Sequence, residues 1–310
     1  MSESGKMDML ASPPPRRRWR ADAIVAGLLL LPACVSGVQD IDPAPLAGSA
    51  DLSPRFSPDG STIVFSSDRD GNDEIYVIGV DGTGLARLTS SPGKDLDPSY
   101  SPDGSKIVFD SDRNGPVAIF AMDVDGSDPV NLSRPKRPGD IFPSWSPDGA
   151  RIVYTCGQSF ETLDICVMDA NGRNQRVLIG GGTREWEPAW SPDGTQIAFV
   201  SNRTGDDEIY VMDPDGGHVI RLTHSPGRDA DPAWSSDGTK IAFDSDRQGA
   251  VGIFLMDADG TDVTRVTDAP GASPSWSPDG NTIAFHRDVG SGVRIFLVDV
   301  DGSHLRQLTS

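Results

Sequence analysis

The chain has 310 residues, with 46 Asp and Glu against 27 Lys and Arg, a formal charge of −19. A field of that sign repels nucleic acid and anionic lipid headgroups, which excludes nucleic-acid binding and favours cationic partners. The length is enough for one domain with a continuous core.

Reading from the amino terminus, Arg16-Arg17-Arg18-Trp19-Arg20 is a basic stretch, and Ala23–Ala33 is a mostly apolar run of eleven residues. That run is too short to span a bilayer and suits the central region of a secretory signal. It ends in Leu31-Pro32-Ala33-Cys34, which resembles a bacterial lipobox with Cys34 as the acylated residue. An ordinary signal peptide with a coincidental cysteine is the alternative. Acylation at Cys34 would hold the protein to a membrane through the Pro/Ala/Gly segment 35–50. Val35 is not the aspartate that retains some lipoproteins at the inner membrane. The expected location is therefore the periplasmic side of the envelope, at the outer membrane rather than the inner. Residues 1–33 carry a net +2, so their removal leaves −21.

From Ser57 onward the chain repeats itself. Ser-Pro-Asp-Gly, once as Ser-Ser-Asp-Gly, recurs with its aspartate at 59, 103, 148, 193, 237 and 279, in steps of 44, 45, 45, 44 and 42. A turn-rich period of this size marks a propeller blade or another repeat array. In one repeat, Pro188-Ala189-Trp190-Ser191 is extended and Pro192-Asp193-Gly194 reverses the chain. Three short strands follow: Gln196–Val200, Glu208–Met212 and Val219–Thr223. The expected fold class is all-β, a six-bladed β-propeller of four-stranded antiparallel blades. Phe56, Tyr100, Trp145, Trp190, Trp234 and Trp276 fall at one repeat position and are expected to fill the wedge between blades. A flat solenoid is the competing fold and would call for atypical capping repeats. The expected organisation is a lipoprotein signal peptide over 1–33, a flexible linker over 34–50 and the propeller over 51–310. The pattern leaves open whether residues near Ile41–Leu52 add an outer strand that clasps the last blade.

The order Pro-x-Trp-Ser-Pro-Asp-Gly-x-x-Ile-Ala-Phe, then Asp-Arg-x-Gly, Ile-Tyr-Val-Met-Asp and Arg-Leu-Thr, closely resembles the repeats of TolB-like propellers. Asp68-Arg69-Asp70-Gly71, Asp112-Arg113-Asn114-Gly115 and Asp246-Arg247-Gln248-Gly249 carry the second element, and Asn202-Arg203-Thr204-Gly205 varies it. The resemblance covers 51–310. It implies a bacterial envelope protein with a role in protein–protein contact, partnered by an envelope protein or lipoprotein. TolB carries an α/β domain ahead of its propeller, whereas here the first repeat follows close behind the leader. The resemblance thus speaks for the fold more than for the whole Tol–Pal role. A monomer is expected.

Interblade loops and the loops between second and third strands open on one face of a propeller. Three residues before the Pro of each repeat stand Asp51, Asp95, Asp140, Glu185, Asp229 and Gly271. Immediately before that Pro stand Ser53, Asp97, Phe142, Glu187, Asp231 and Ser273. Repeat symmetry predicts acidic rings near the channel mouth, able to take Ca²⁺ or the Lys and Arg of a partner. The competing reading is that each Asp caps its own turn. Trp186, between Glu185 and Glu187, is outside the repeat pattern and reads as a contact anchor or as a ring folded back on the rim. The loop Arg134–Pro138 is basic, solvated or facing an acidic group. Asp-x-Asp-Gly segments such as Asp123–Gly126 lack the further ligands of an EF-hand and read as tight turns.

Cys156 and Cys166 flank a hairpin, where an oxidising compartment would permit a disulfide; two buried thiols are the alternative. No Gly-x-Ser-x-Gly elbow is present, and no cofactor is expected. The main reading is a non-catalytic partner-binding propeller. The alternative is a metal-dependent polysaccharide lyase or hydrolase, for which His224 and His286 are the channel candidates, with His218 and His304 expected on the opposite face.

Overall fold

In a computed structural model that describes residues 48–133, 139–159 and 162–310, the repeats become six four-stranded sheets. Blade 1 is β1 (Asp51–Phe56), β2 (Thr62–Ser67), β3 (Glu74–Gly79) and β4 (Ala86–Arg87). Blade 2 is β5 (Asp95–Tyr100), β6 (Lys106–Ser111), β7 (Ala118–Asp123) and β8 (Val130–Asn131). Blade 3 is β9 (Ile141–Trp145), β10 (Arg151–Ser159), β11 (Thr162–Asp169) and β12 (Arg176–Ile179). Blade 4 is β13 (Glu185–Trp190), β14 (Ile197–Ser201), β15 (Glu208–Met212) and β16 (Ile220–Arg221). Blade 5 is β17 (Asp229–Trp234), β18 (Lys240–Ser245), β19 (Gly252–Asp257) and β20 (Thr264–Arg265). Blade 6 is β21 (Ala272–Trp276), β22 (Thr282–Asp288), β23 (Val293–Asp299) and β24 (Arg306–Gln307). Within each blade the strands pair antiparallel in chain order. Each first strand packs on the first strand of the next blade, and β21 packs on β1, so these six line the centre of a closed ring. The expected fold is the observed one.

The repeated turn sequence explains its own shape. Asp59 Oδ1 accepts hydrogen bonds from Ser57 Oγ (2.6 Å) and the Ser61 backbone N–H (3.0 Å), and Gly60 N–H donates to Ser57 O (2.9 Å). These bonds, that from Ser57 first, hold the Asp59 carboxyl down to about 2. The fixed turn delivers the chain antiparallel into the apolar second strand. Each blade then buries its two faces against its neighbours in an interblade core. Tyr100, Trp145 and Trp190 are buried in three of these cores; Phe56, Trp234 and Trp276 pack partly buried on the other three.

The core between blades 6 and 1 joins Ala284, Ile295 and Leu297 to Ile63, Phe65 and Tyr76. Beside it, Ala50 forms a parallel bridge with Val293, and Ser49 O accepts from Val293 N–H (3.0 Å) and Arg294 Nη1 (2.7 Å). The segment before β1 thus touches the β22–β23 hairpin end; the outer strand of blade 6 is the chain's own β24.

Candidate functional site: the inner rim

The two acidic rows predicted from the repeats occupy different surroundings. The first row opens each inner strand, and its carboxylates are buried. Four of them meet an arginine from the hairpin of their own blade. Asp51 Oδ1 pairs with Arg69 Nη2 (2.9 Å), Asp95 with Arg113 (2.5 Å), Glu185 with Arg203 (3.1 Å) and Asp229 with Arg247 (2.7 Å). Each arginine lies over the aromatic pair of its blade, as Arg113 does over Phe109 and Phe120 at 5.0 Å. The Arg of Asp-Arg-x-Gly is therefore the counter-ion of this row, a role the sequence reading did not assign. Blade 3 has no such arginine; its hairpin carries a Cys156–Cys166 disulfide with a Cα–Cα distance of 5.8 Å. Burial there raises the Asp140 carboxyl to about 6, against an opposing hydrogen bond from Ser133.

The second row sits on a bulge. Ser53, Asp97, Phe142, Glu187, Asp231 and Ser273 all hold φ between 48° and 54°, and the register of each first strand against its second shifts there. Six non-glycine residues in the left-handed region mark backbone that the surrounding fold holds in place. The bulge aims the backbone N–H of five of these residues at the preceding blade. Phe142 N–H donates to Asp110 Oδ2 (3.1 Å), Glu187 N–H to Thr155 Oγ1 (3.1 Å) and Asp231 N–H to Glu187 Oε2 (2.8 Å). Ser53 N–H lies 3.4 Å from His286 Nδ1, and Ser273 N–H lies 3.4 Å from Asp244 Oδ2.

Asp110, Thr155, Asp244 and His286 form a third row, on the second strands; the sequence reading names His286 as a channel candidate and misses the other three. Its signal was a polar residue interrupting an apolar run, as in Lys106-Ile107-Val108-Phe109-Asp110 and Lys240-Ile241-Ala242-Phe243-Asp244. Burial, with the charge of Asp97 next, drives the Asp110 carboxyl well above its usual range. Burial raises Asp244 too, against the opposing pull of Arg228.

Two groups result. Between blades 4 and 5, Glu187, Asp231 and Asp244 surround the Arg228 guanidinium at 4.0, 3.8 and 2.7 Å. Trp186 lies back against this group, its ring 3.9 Å from the Arg184 guanidinium carbon and 6.0 Å from that of Arg228. Between blades 1 and 2, Ser53 Oγ donates to Asp97 Oδ1 (2.6 Å), with Asp110 behind it.

Among the described residues, no group of three or more His, Cys, Asp or Glu is arranged to hold a metal ion. His218 and His304 are exposed and pair with Asp213 and Asp299 of their own turns (2.5 and 2.7 Å); His224 is exposed and His286 half-buried. Cys34 and the basic loop 134–138 lie outside the described residues.

A family model described as the TolB beta propeller domain matches residues 45–186 and 143–310. Over 57 residues the chain is 46% identical to the Tol-Pal system protein TolB of Syntrophus aciditrophicus, a match that spans 18% of this chain and 13% of that relative's length. A solved structure described as TolB from Agrobacterium tumefaciens is 28% identical, with a TM-score of 0.63 over 75% of this chain and 87% of its own. TolB from Acinetobacter baumannii is 25% identical, with a TM-score of 0.69 over 85% of this chain and 64% of its own. Propeller-bearing hydrolases and lyases at 14 to 19% identity share the fold alone.

Proposed function

The chain belongs to the TolB beta propeller domain family, and on that premise we propose that it is a non-catalytic scaffold of the bacterial envelope that binds a protein partner through its acidic inner rim. One observation supports this reading: six left-handed bulges fix the second row on the ring-lining first strands, with the carboxylates Asp110 and Asp244 on the second strands beside Asp97 and Asp231. Rigid, pre-set acids lose little freedom on binding, which suits recognition of a cationic segment. The first-row acids Asp51, Asp95, Glu185 and Asp229 hold the rim's shape through their arginines, Asp140 lies buried among them, and Phe142 and Trp186 complete the surface. The partner is an envelope protein or lipoprotein, in keeping with the Tol-Pal description of the relative. Cys34 supplies a lipid anchor on the periplasmic side, and the propeller acts as a monomer.

The test is crosslinking in whole cells with partner identification, run on the wild type and on Asp97→Lys. Asp97 is half-buried, so a lysine there can carry its charge out to solvent. Capture should fall about tenfold or more, the scale of a like-charge contact. Undiminished capture would remove the rim from the interface.

A further inference from the structure

Blade 3 departs from the other five at its outer edge. In those five, the outer strand ends on a hydroxyl. Thr89, Ser133, Thr223, Thr267 and Thr309 each accept the backbone N–H of a third-strand isoleucine, at 2.9 to 3.1 Å. The side chain takes the place of the backbone, and each of these outer strands is only two residues long. Blade 3 has Ile179 at that repeat position, with no hydroxyl to offer. Backbone pairing runs on to Ile165 and Ile179, and β12 reaches four residues, Arg176–Ile179. It is the last strand of its sheet, so its outer side has no strand of the sheet against it. Such an edge is a template for pairing with another chain.

Charge separates this blade as well. Residues 134–184 carry seven Lys and Arg against five Asp and Glu, a net +2, whereas each of the other five blades is net negative in a chain of −19. Arginines on the other outer strands are engaged within the molecule. Arg87 pairs with Glu74 (2.8 Å) and Arg221 with Glu208 (2.6 Å); Arg265 donates to Thr267 O (2.6 Å) and Arg306 to Val80 O (2.7 Å). Arg176 and, in the turn before it, Arg173 are exposed, and among the described residues neither forms an ion pair. Val177 is exposed beside them.

These features select the occupant. Pairing of β12 with β12 of a second copy would set arginine against arginine, the usual way in which charges guard an edge. An acidic strand meets no such obstacle, and a guanidinium fork takes carboxylates two oxygens at a time. An anionic bilayer is a broad surface and would also meet the acidic blades on either side, whereas a single strand reaches this edge alone. We propose that the outer edge of blade 3 docks an acidic, extended segment of a partner protein, which adds as a fifth strand beside β12. Successive residues of a strand face opposite sides of the sheet, so the segment alternates acids, set against Arg173 and Arg176, with an aliphatic residue beside Val177. This surface is distinct from the inner rim and goes beyond the rim's role.

The probe is a fluorescent octapeptide of alternating valine and glutamate, titrated into the full chain by anisotropy. It should bind saturably at one site, although the charge of the chain as a whole repels it. Arg173→Gln with Arg176→Gln should weaken it about tenfold or more; both side chains are exposed, so the fold should survive, as Tm will show. A strand offers the ladder the N–H groups of alternate residues only. N-methylation of the valines and N-methylation of the glutamates should therefore act unequally, one abolishing binding and the other sparing it. Hydrogen exchange should show new protection in β12 and none in β16. The Asp97→Lys variant should bind the peptide as the wild type does, so this inference and the rim reading fail separately. No saturable binding, an affinity unchanged in the double variant, equal effects of the two methylations, or protection elsewhere overturns the inference. So does binding to phosphatidylglycerol vesicles that needs the same two arginines, which would assign the patch to lipid headgroups. Dimerisation in sedimentation that the double variant abolishes would assign it to a second copy instead.

Discussion

Asp140 shows how one missing counter-ion alters a repeated position. Its equivalents Asp51, Asp95, Glu185 and Asp229 each have an arginine, whereas the side-chain hydroxyl of Ser133 is what opposes burial at Asp140. Its carboxyl is raised from 3.8 to about 6. The sign follows from proton uptake. Below about pH 4 both folded and unfolded chains hold the proton, and burial costs nothing extra. Between about pH 4 and 6 the folded chain keeps a proton that the unfolded chain releases, so stability falls as pH rises; above about 6 the full penalty applies. Two units correspond to roughly 3 kcal/mol, and the group's partial contact with solvent reduces that to about 2. Asp140→Asn should therefore raise Tm by about 4–8 °C at pH 7.5 and leave it unchanged near pH 4. A gain of equal size at both pH values would mean that charge is not the cause. The sequence placed Asp140 in the correct row. It could not show that the row divides, because the deciding arginine is contributed by a hairpin some eighteen residues away, and in blade 3 that hairpin has cysteines instead.

At the scale of the element, the turn after each third strand is also a joint. A Cβ added at Gly126, where φ is +88°, would lie 2.4 Å from the carbonyl oxygen of Leu88, at the end of the preceding blade. At Gly82, the equivalent turn where blade 1 meets blade 6, the same carbonyl, that of Leu308, is 3.7 Å away. Both positions need the left-handed region, so alanine at either costs about 1–2 kcal/mol in backbone strain. Gly126→Ala adds a backbone clash worth roughly a further 1–3 kcal/mol. Denaturant unfolding should rank Gly126→Ala clearly below Gly82→Ala; equal losses would show that the joint yields without cost. Turns and strands were legible in the sequence because their causes are local: Pro, Asp and Gly at fixed offsets, then β formers. The rim was legible only in part. Counting back from the proline found both acidic rows. Asp110 and Asp244 escaped because, within an apolar strand, a lone carboxylate gives no sign of which element will face it, and the bulge that aims Phe142 N–H at Asp110 depends on the neighbouring blade.

The ring as a whole closes without sharing a blade between the two ends of the chain: all four strands of blade 6, like those of blade 1, are consecutive. Every other junction is crossed by the chain, which keeps adjacent blades at high effective concentration. The junction of blades 6 and 1 is held instead by its apolar core and by the clasp of Ser49 on Val293 and Arg294. Repeat folds lose structure first at their weakest interface. Opening should therefore begin there, and Arg294 should set how readily it does. Its buried guanidinium donates to Ser49 O at 2.7 Å and to Val293 O at 2.9 Å. Arg294→Met keeps most of the volume and removes both donors, at a cost of about 1.5–3 kcal/mol for charge-assisted bonds. In native-state hydrogen exchange, amides of Ile63–Phe65 and Ile295–Leu297 should lose protection in that variant, while those of Ile209–Val211 and Ile241–Phe243, at the blade 4–5 junction, keep theirs. Uniform loss around the ring would mean that the propeller opens as one cooperative unit, with no seam at its closure.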